Sequence, residues 1–153
     1  MRNLKMTLLG LLSLGILLMA GLSISSRYKS PAVGLSNGRL LPCPETPNCV
    51  SSEAGEGVKS AIEPLLITSA SESAWADARQ AVSNIGGNIV EETPGYLRAT
   101  VPSTFFRFID DLELRLDADA GVIHIRSASR VGHSDMGANR KRIDRLRSTY
   151  AKQ

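Results

Sequence analysis

The sequence predicts an α+β fold: an antiparallel sheet of about four to five strands packed against two helices, in the order β-α-β-β-β-β-α. Three observations carry this reading. Two segments, 69–85 and 139–150, repeat apolar residues at helical spacing. Between them lie four strand-like segments, the clearest alternating in the two-residue period of a half-buried strand. Short turn-forming sequences join these four in pairs, which implies hairpins and therefore antiparallel pairing.

The first strand lies within 62–68, where Pro64-Leu65-Leu66-Ile67 forms a short apolar run. Ser69 followed by Glu72 has the spacing of a capping box, and Trp75, Ala78, Val82 and Ile85 then mark one helix face up to Gly86-Gly87. Strands at 88–92 and 96–101 are joined by Thr93-Pro94-Gly95-Tyr96, whose central Pro-Gly specifies a type II turn. The segment 106–116 places Leu112, Leu114 and Leu116 on one face and Glu113 and Arg115, followed by Asp117, on the other. Asp119-Ala120-Gly121 turns it into the strand 122–129. The last helix puts Ile143, Leu146 and Tyr150 on one stripe, with Arg140, Lys141, Arg142, Arg145 and Arg147 elsewhere. Both helices should cover one face of the sheet. Phe105, Phe106 and Phe108 read as core, or as the lining of an apolar pocket if sheet and helix do not close fully.

The chain has 153 residues, 42% hydrophobic and 22% charged, a composition that speaks against disorder and against a polytopic membrane protein. Residues 1–26 read as a signal peptide or N-terminal membrane anchor, 27–39 as a linker, and 40–153 as a single α+β domain. The net charge of +3 does not argue for nucleic acid, because the charges are segregated. Residues 1–44 carry five basic groups and no acidic one, 45–119 thirteen acidic against five basic, and 120–153 eight basic against two acidic. Acidic middle and basic end are opposite in sign and should face each other within one fold.

Arg2 and Lys5 precede an uncharged run through residues 6–24, in which leucine and isoleucine cover every helical face. This is the pattern of an export signal. It is also long enough to span a hydrocarbon core, and the positive end should stay inside, leaving the domain outside the cytoplasm. Ser23 and Ser25 have the spacing of a signal-peptidase site, so cleavage and release stand beside retention as an anchor, the favoured reading. Cys43 and Cys49 are the two cysteines of the chain. In an exported protein they read as a structural disulfide closing a turn-rich loop. A redox pair or a metal site fits less well, since the spacing is not C-x-x-C and no histidine is near.

The densest polar stretch runs from Arg126 to Arg142. There Gly132-His133-Ser134-Asp135 leads into Asn139-Arg140 at the start of the last helix, an arrangement that presents backbone N–H groups to an anion. The candidate ligand-binding set is Asp110, Arg130, His133, Ser134, Asp135, Asn139 and Arg140, with Arg130 or Arg140 clamping a carboxylate or phosphate. The alternative is that Ser134 or Asp135 caps the helix while Arg130 pairs with Asp110 or Asp111. Asp110 is in phase with Leu112 and Leu114, so it should point inward and need a partner such as Arg126 or Arg130, unless a bulge re-aims it. Asp110, Asp111 and His133 together would suit acid–base or metal chemistry, but adjacent strand residues point to opposite faces, so no catalytic or metal residue is assigned. His124 lies opposite in phase to Ile123 and Ile125, on a face expected to be solvated. No P-loop or dinucleotide fingerprint is present, and no cofactor is expected.

Three motifs carry a resemblance: Cys43-Pro44-Glu45-Thr46-Pro47-Asn48-Cys49-Val50-Ser51-Ser52, Phe106-Arg107-Phe108-Ile109-Asp110-Asp111, and Ser129-Arg130-Val131-Gly132-His133-Ser134-Asp135-Met136-Gly137-Ala138-Asn139-Arg140. In this order they resemble the family of domain of unknown function 1499, over roughly 40–150. The resemblance implies the domain limits and marks these motifs as candidates, but the family has no established activity. The leading expectation is a non-enzymatic envelope module for a small anionic or lipid-like ligand, held at the membrane through residues 6–24. A hydrolase or isomerase using Asp110, Asp111 and His133 is one alternative, and a structural or protein-interaction domain is another.

Overall fold

The computed structural model describes residues 2–29, 32–55, 57–103 and 106–153. A long helix α1 (Arg2–Tyr28) comes first, followed by a small hairpin of β1 (Leu35–Ser36) and β2 (Arg39–Leu40). Asn37 and Gly38 between them have φ of 52° and 75°, both positive as the tightest hairpin turn requires. The domain continues through β3 (Cys49–Ser51), β4 (Leu65–Leu66), α2 (Ser71–Asn84), β5 (Asn88–Thr93), β6 (Tyr96–Pro102), β7 (Ile109–Asp117), β8 (Val122–Ser129) and α3 (Ala138–Tyr150).

Strands β3 to β8 form one antiparallel six-stranded sheet, ordered β3-β8-β7-β6-β5. The outer edge of β8 is shared: β3 pairs with residues 126–128 and β4 with 122–123. The architecture is α+β, with a sheet somewhat larger than expected. The additional strand is β3, too short to show an alternation in the sequence.

One face of the sheet is apolar. Leu97, Ala99, Leu112, Leu114, Ile123 and Ile125 are fully buried there against Ala78, Ala81 and Val82 of α2 and Ile143 and Leu146 of α3. Gly86 ends α2 at φ 88°, with its N–H on the Ser83 carbonyl and the Gly87 N–H on the Val82 carbonyl. These two bonds satisfy carbonyls that the last turn would leave open. A Cβ on Gly87 would stand 2.7 Å from the Val82 side chain, so glycine is required for close approach. At the other end the expected capping box does not form. The helix starts two residues later than Ser69, whose hydroxyl contacts the Ala70 carbonyl instead.

The phenylalanines correct a second expectation. β7 begins at Ile109, so Phe106 and Phe108 precede it in a loop, with rings 5.8 Å apart and Phe106 48% exposed. They are not core residues, and Phe105 lies outside the described residues.

The other face of the sheet was expected to be solvated, yet its central residue Glu113 is 0% exposed. Residues 34–40 lie over it. Glu113 Oε1 accepts from Gly34 N–H at 2.7 Å and from the Tyr96 hydroxyl at 2.9 Å, and Oε2 accepts from Arg126 Nη1 at 2.6 Å. Alternation alone does not reveal that a preceding segment covers the charged face. Losing one member of such a buried pair strands the other without water. Glu113→Ala is therefore expected to cost about 3–5 kcal/mol in urea unfolding. The exposed Glu92→Ala, which breaks a surface pair with Arg79, should cost less than about 1 kcal/mol. Equal effects would contradict the burial of Glu113.

Candidate functional site

The three sequence motifs meet at one end of the sheet, where β7 starts and β8 ends. Cys43 and Cys49 are disulfide-bonded, with Cα atoms 5.6 Å apart, and the loop they close is tied down through Asn48. Asn48 Nδ2 donates to the Gly132 carbonyl at 2.7 Å. The Asn48 carbonyl accepts from Ser129 N–H and from Asn139 Nδ2, both at 2.9 Å. Asn139 is fully buried; its Oδ1 accepts from the Ser127 hydroxyl at 2.7 Å and from Arg142 Nη1. One asparagine at the start of α3 thus joins the disulfide loop, β8 and the helix.

The candidate residues divide between this network and the surface. Asp110 faces the helices, as its phase implies, but its partner is Arg142 of α3, with Nη2 at 2.5 Å, and not Arg126 or Arg130. Arg142, placed off the apolar stripe from sequence, is 8% exposed because it lies one turn after Asn139 and reaches inward along that helix face. Burial pushes the Asp110 carboxyl up, against the opposing pull of Arg142 and the Ser129 hydroxyl. Asp111 points to the opposite face and receives Arg130 in a two-bond fork, Nε at 2.7 Å and Nη2 at 2.8 Å. Asp135 accepts from Gly137 N–H at 3.0 Å and Asn139 N–H at 2.7 Å, which satisfies the free donors at the start of α3. Ser134 Oγ accepts from Met136 N–H at 3.3 Å. Arg140 donates to the carbonyls of Lys59 and Ala61. His133 is exposed and has no hydrogen bond or ion pair among the described residues.

Asp110, Asp111 and His133 are therefore not brought to one centre. The carboxylates lie on opposite faces of β7, each held by its own arginine. Among the described residues, no three His, Cys, Asp or Glu side chains gather as a metal site.

What does open at this end is a cleft of about 520 Å³ between the disulfide loop and the charged face of the sheet. Lys29, Arg126, Arg130 and Asp111 contribute its charges, and Ala32, Val33, Pro42 and Pro44 part of its apolar wall. Arg126 is 2% exposed and its Nε is buried without a hydrogen-bond partner. A second cleft of about 550 Å³, on the other side of the same loop, includes Lys59, Ser134, Asp135 and Arg140. Lys29 and Arg126 were absent from the candidate set. The signal that points to Arg126 is the alternation of 122–129, which puts it on the face opposite Ile123 and Ile125.

Farther along that face, Glu53, Arg115, Asp117 and His124 form a cluster. Glu53 accepts from Leu40 N–H at 2.5 Å, Arg115 Nη2 at 2.8 Å and Arg39 Nε at 3.2 Å. Burial works to raise its carboxyl, and Arg115 and Leu40 outweigh it, so the net value is lowered. His124 is half-buried, where a solvated position was expected: its Nδ1 stands 3.2 Å from the Ser52 hydroxyl. Burial lowers its value, opposed by Glu53 and reinforced by Arg115.

The signs give a pH dependence. Glu53 contributes stability that is fully present above its ordinary 4.5 and is lost as pH falls through the lowered folded value. His124 does the same below its ordinary 6.5, since the unfolded chain takes up the proton first. In thermal unfolding, the margin of the wild type over Glu53→Gln should therefore hold down to about 4.5 and close below it. A margin that widens in acid would contradict the sign. Asn139→Ala leaves several buried partners unsatisfied and is expected to cost roughly 2–3 kcal/mol in urea unfolding. An unchanged midpoint would show that the node carries no weight.

No curated protein matches the chain. The model of one family, described as protein of unknown function DUF1499, matches residues 39–149, which include all three motifs at this end of the sheet, and the chain belongs to that family.

Proposed function

We propose that the chain is an exported, membrane-anchored and non-enzymatic module that holds a small anionic or lipid-like ligand in the cleft beneath the Cys43–Cys49 loop. The observation that carries the proposal is Arg126, a guanidinium almost fully buried in the cleft wall with its Nε unpaired. A buried donor without an acceptor is costly, and an anion in the cleft supplies one. The surrounding charge has the matching sign. Lys29, Arg126 and Arg130 are set against the carboxylate of Asp111 in the lining and that of Glu113 behind Arg126, leaving an excess of one positive charge, while Arg98 is itself matched by Glu91.

Anchoring is supported by α1, whose segment Leu4–Tyr28 is long and apolar enough to cross a membrane. Retention of that helix is favoured by its end. Ser26 is fully buried against the domain, its hydroxyl accepting from Ile109 N–H at 3.0 Å and its carbonyl from Arg130 Nη1 at 3.4 Å. A cut after Ser25 would sever this contact from the helix. A position outside the cytoplasm is supported by the disulfide, a bond that persists in oxidising compartments.

Native mass spectrometry of the full chain in detergent, titrated with dioleoylphosphatidylglycerol, tests the ligand. Lys29→Glu, at an exposed cleft position, should weaken retention about ten-fold, the worth of one charge-assisted hydrogen bond. Arg145→Glu, an equal charge change on the exposed face of α3, should leave it unaltered. Equal losses in both variants, or no retention by the wild type, would overturn the assignment.

A further inference from the structure

We infer that the loop carrying Phe106, Arg107 and Phe108 is a second membrane contact, seated in the outer boundary of the same bilayer that α1 crosses. This rests on α1 being a membrane span and not on the ligand of the cleft. The helix and the loop are neighbours. Phe106 and Arg107 line a shallow cleft of about 360 Å³ with Ile16, Ala20, Ile24 and Arg27 of α1. Between Lys5 and Arg27 the helix has 21 uncharged residues, a rise of about 31 Å, which matches the hydrocarbon thickness. Phe106 therefore stands beside the outer half of the span, and Arg27 marks where the headgroups begin.

The loop is built to hold an apolar side chain outward. Its base is closed by two hydrogen bonds, Ser103 N–H to the Phe108 carbonyl at 2.8 Å and Phe108 N–H to Ser103 Oγ at 3.0 Å. Arg107 sits at φ 56°, a left-handed conformation that arginine rarely adopts. Phe106 is left 48% exposed and packed on Phe108, away from the core of the domain. In water such a side chain is an uncompensated apolar surface. Beside a membrane helix it meets acyl chains, while Arg107 and Arg27 reach the phosphates. The sheet is thereby oriented. Its motif-bearing end faces the bilayer, and Leu66, paired with Val122 at the far end of β8, points away from it.

The test uses the full chain in phosphatidylcholine vesicles, with Trp75→Phe removing the native indole. An indole is then placed at one position at a time by Phe106→Trp, Leu12→Trp or Leu66→Trp, and quenching is read with lipids brominated near the headgroup or near the chain end. Phe106→Trp should lose most of its emission to shallow bromines and less to deep ones. Leu12→Trp should show the reverse, and Leu66→Trp no loss. Quenching at position 12 with none at 106 overturns the loop seat while leaving the anchor intact. Absence of quenching at both positions overturns the anchor itself. Phe108→Trp gives a second reporter on the same loop, and its escape from both bromines would count against the seat as well.

Discussion

The buried pair of Glu113 and Arg126 is the constraint on which the rest of this domain depends. The two residues are cross-strand neighbours on β7 and β8, in the middle of the sheet, and neither has appreciable contact with solvent. Two charges removed from water are tolerable only if each is matched in geometry as well as in sign. The matching here recruits distant chain. Tyr96 comes from β6 and Gly34 from the segment before β2, so covering this face requires residues 34–40 to lie across it. The same cover brings Leu40 N–H onto Glu53 and, through Glu53, fixes Arg115. The apolar face and the two helices account for only one layer of the domain. The second, charged layer is what turns it into a closed object with a cleft at one end.

Charge segregation along the chain follows from that arrangement. Asp110, Asp111 and Glu113 on β7 meet Arg142, Arg130 and Arg126 respectively, each arginine supplied by the basic last quarter of the sequence. Buried ion pairs of this kind contribute little net stability against apolar substitutes, and their value lies in specificity. In β7 the specificity concerns register. A one-residue slip against β8 would carry Asp111 and Glu113 into the apolar core and turn Leu112 and Leu114 onto the charged face. Both layers therefore select the same pairing, and the penalty for any other is electrostatic as well as hydrophobic.

Much of the fold could be read from the residues because it rests on local periodicity. The hairpins at Pro94-Gly95 and Asp119-Ala120-Gly121, the alternation of β8 and the stripes of α2 and α3 all appear at the expected positions. What escaped the sequence depends on contacts between remote segments. Glu113 looks like an outward residue until Gly34 covers it, and Arg142 looks like a solvated helix position until Asp110 meets it. Asp110 is the intermediate case: its phase showed that it needs a partner inside, but the arginine that meets it is Arg142 of α3 and not Arg126 or Arg130 of the neighbouring strand and loop. The polar loop before α3 was read in two ways. Asp135 on the helix N–H groups and Arg130 on Asp111 are what the residues there do with each other, and the open space lies on either side of the disulfide loop, bordered by Arg130 and Gly132 on one side and by Ser134, Asp135 and Arg140 on the other.

The position of that space has a mechanical reason. At the distal end of the sheet, tight turns join β5 to β6 and β7 to β8, so the strands close on themselves. At the proximal end the connections are long. The 130–137 loop and the Cys43–Cys49 loop emerge there beside residues 106–108, and each must find polar partners for its backbone. Asn48 and Asn139 supply many of them, which stiffens the loops without filling the volume between them. The disulfide has the same effect, since a ring this small mainly fixes the shape of its own loop. A hydrogen-bonded rim around a cleft of net positive lining is the outcome, and the end of α1 is bonded to the rim through Ser26. Helix and cleft are thus joined through one side chain, since the Arg130 that donates to the Ser26 carbonyl also lines the cleft and forks onto Asp111.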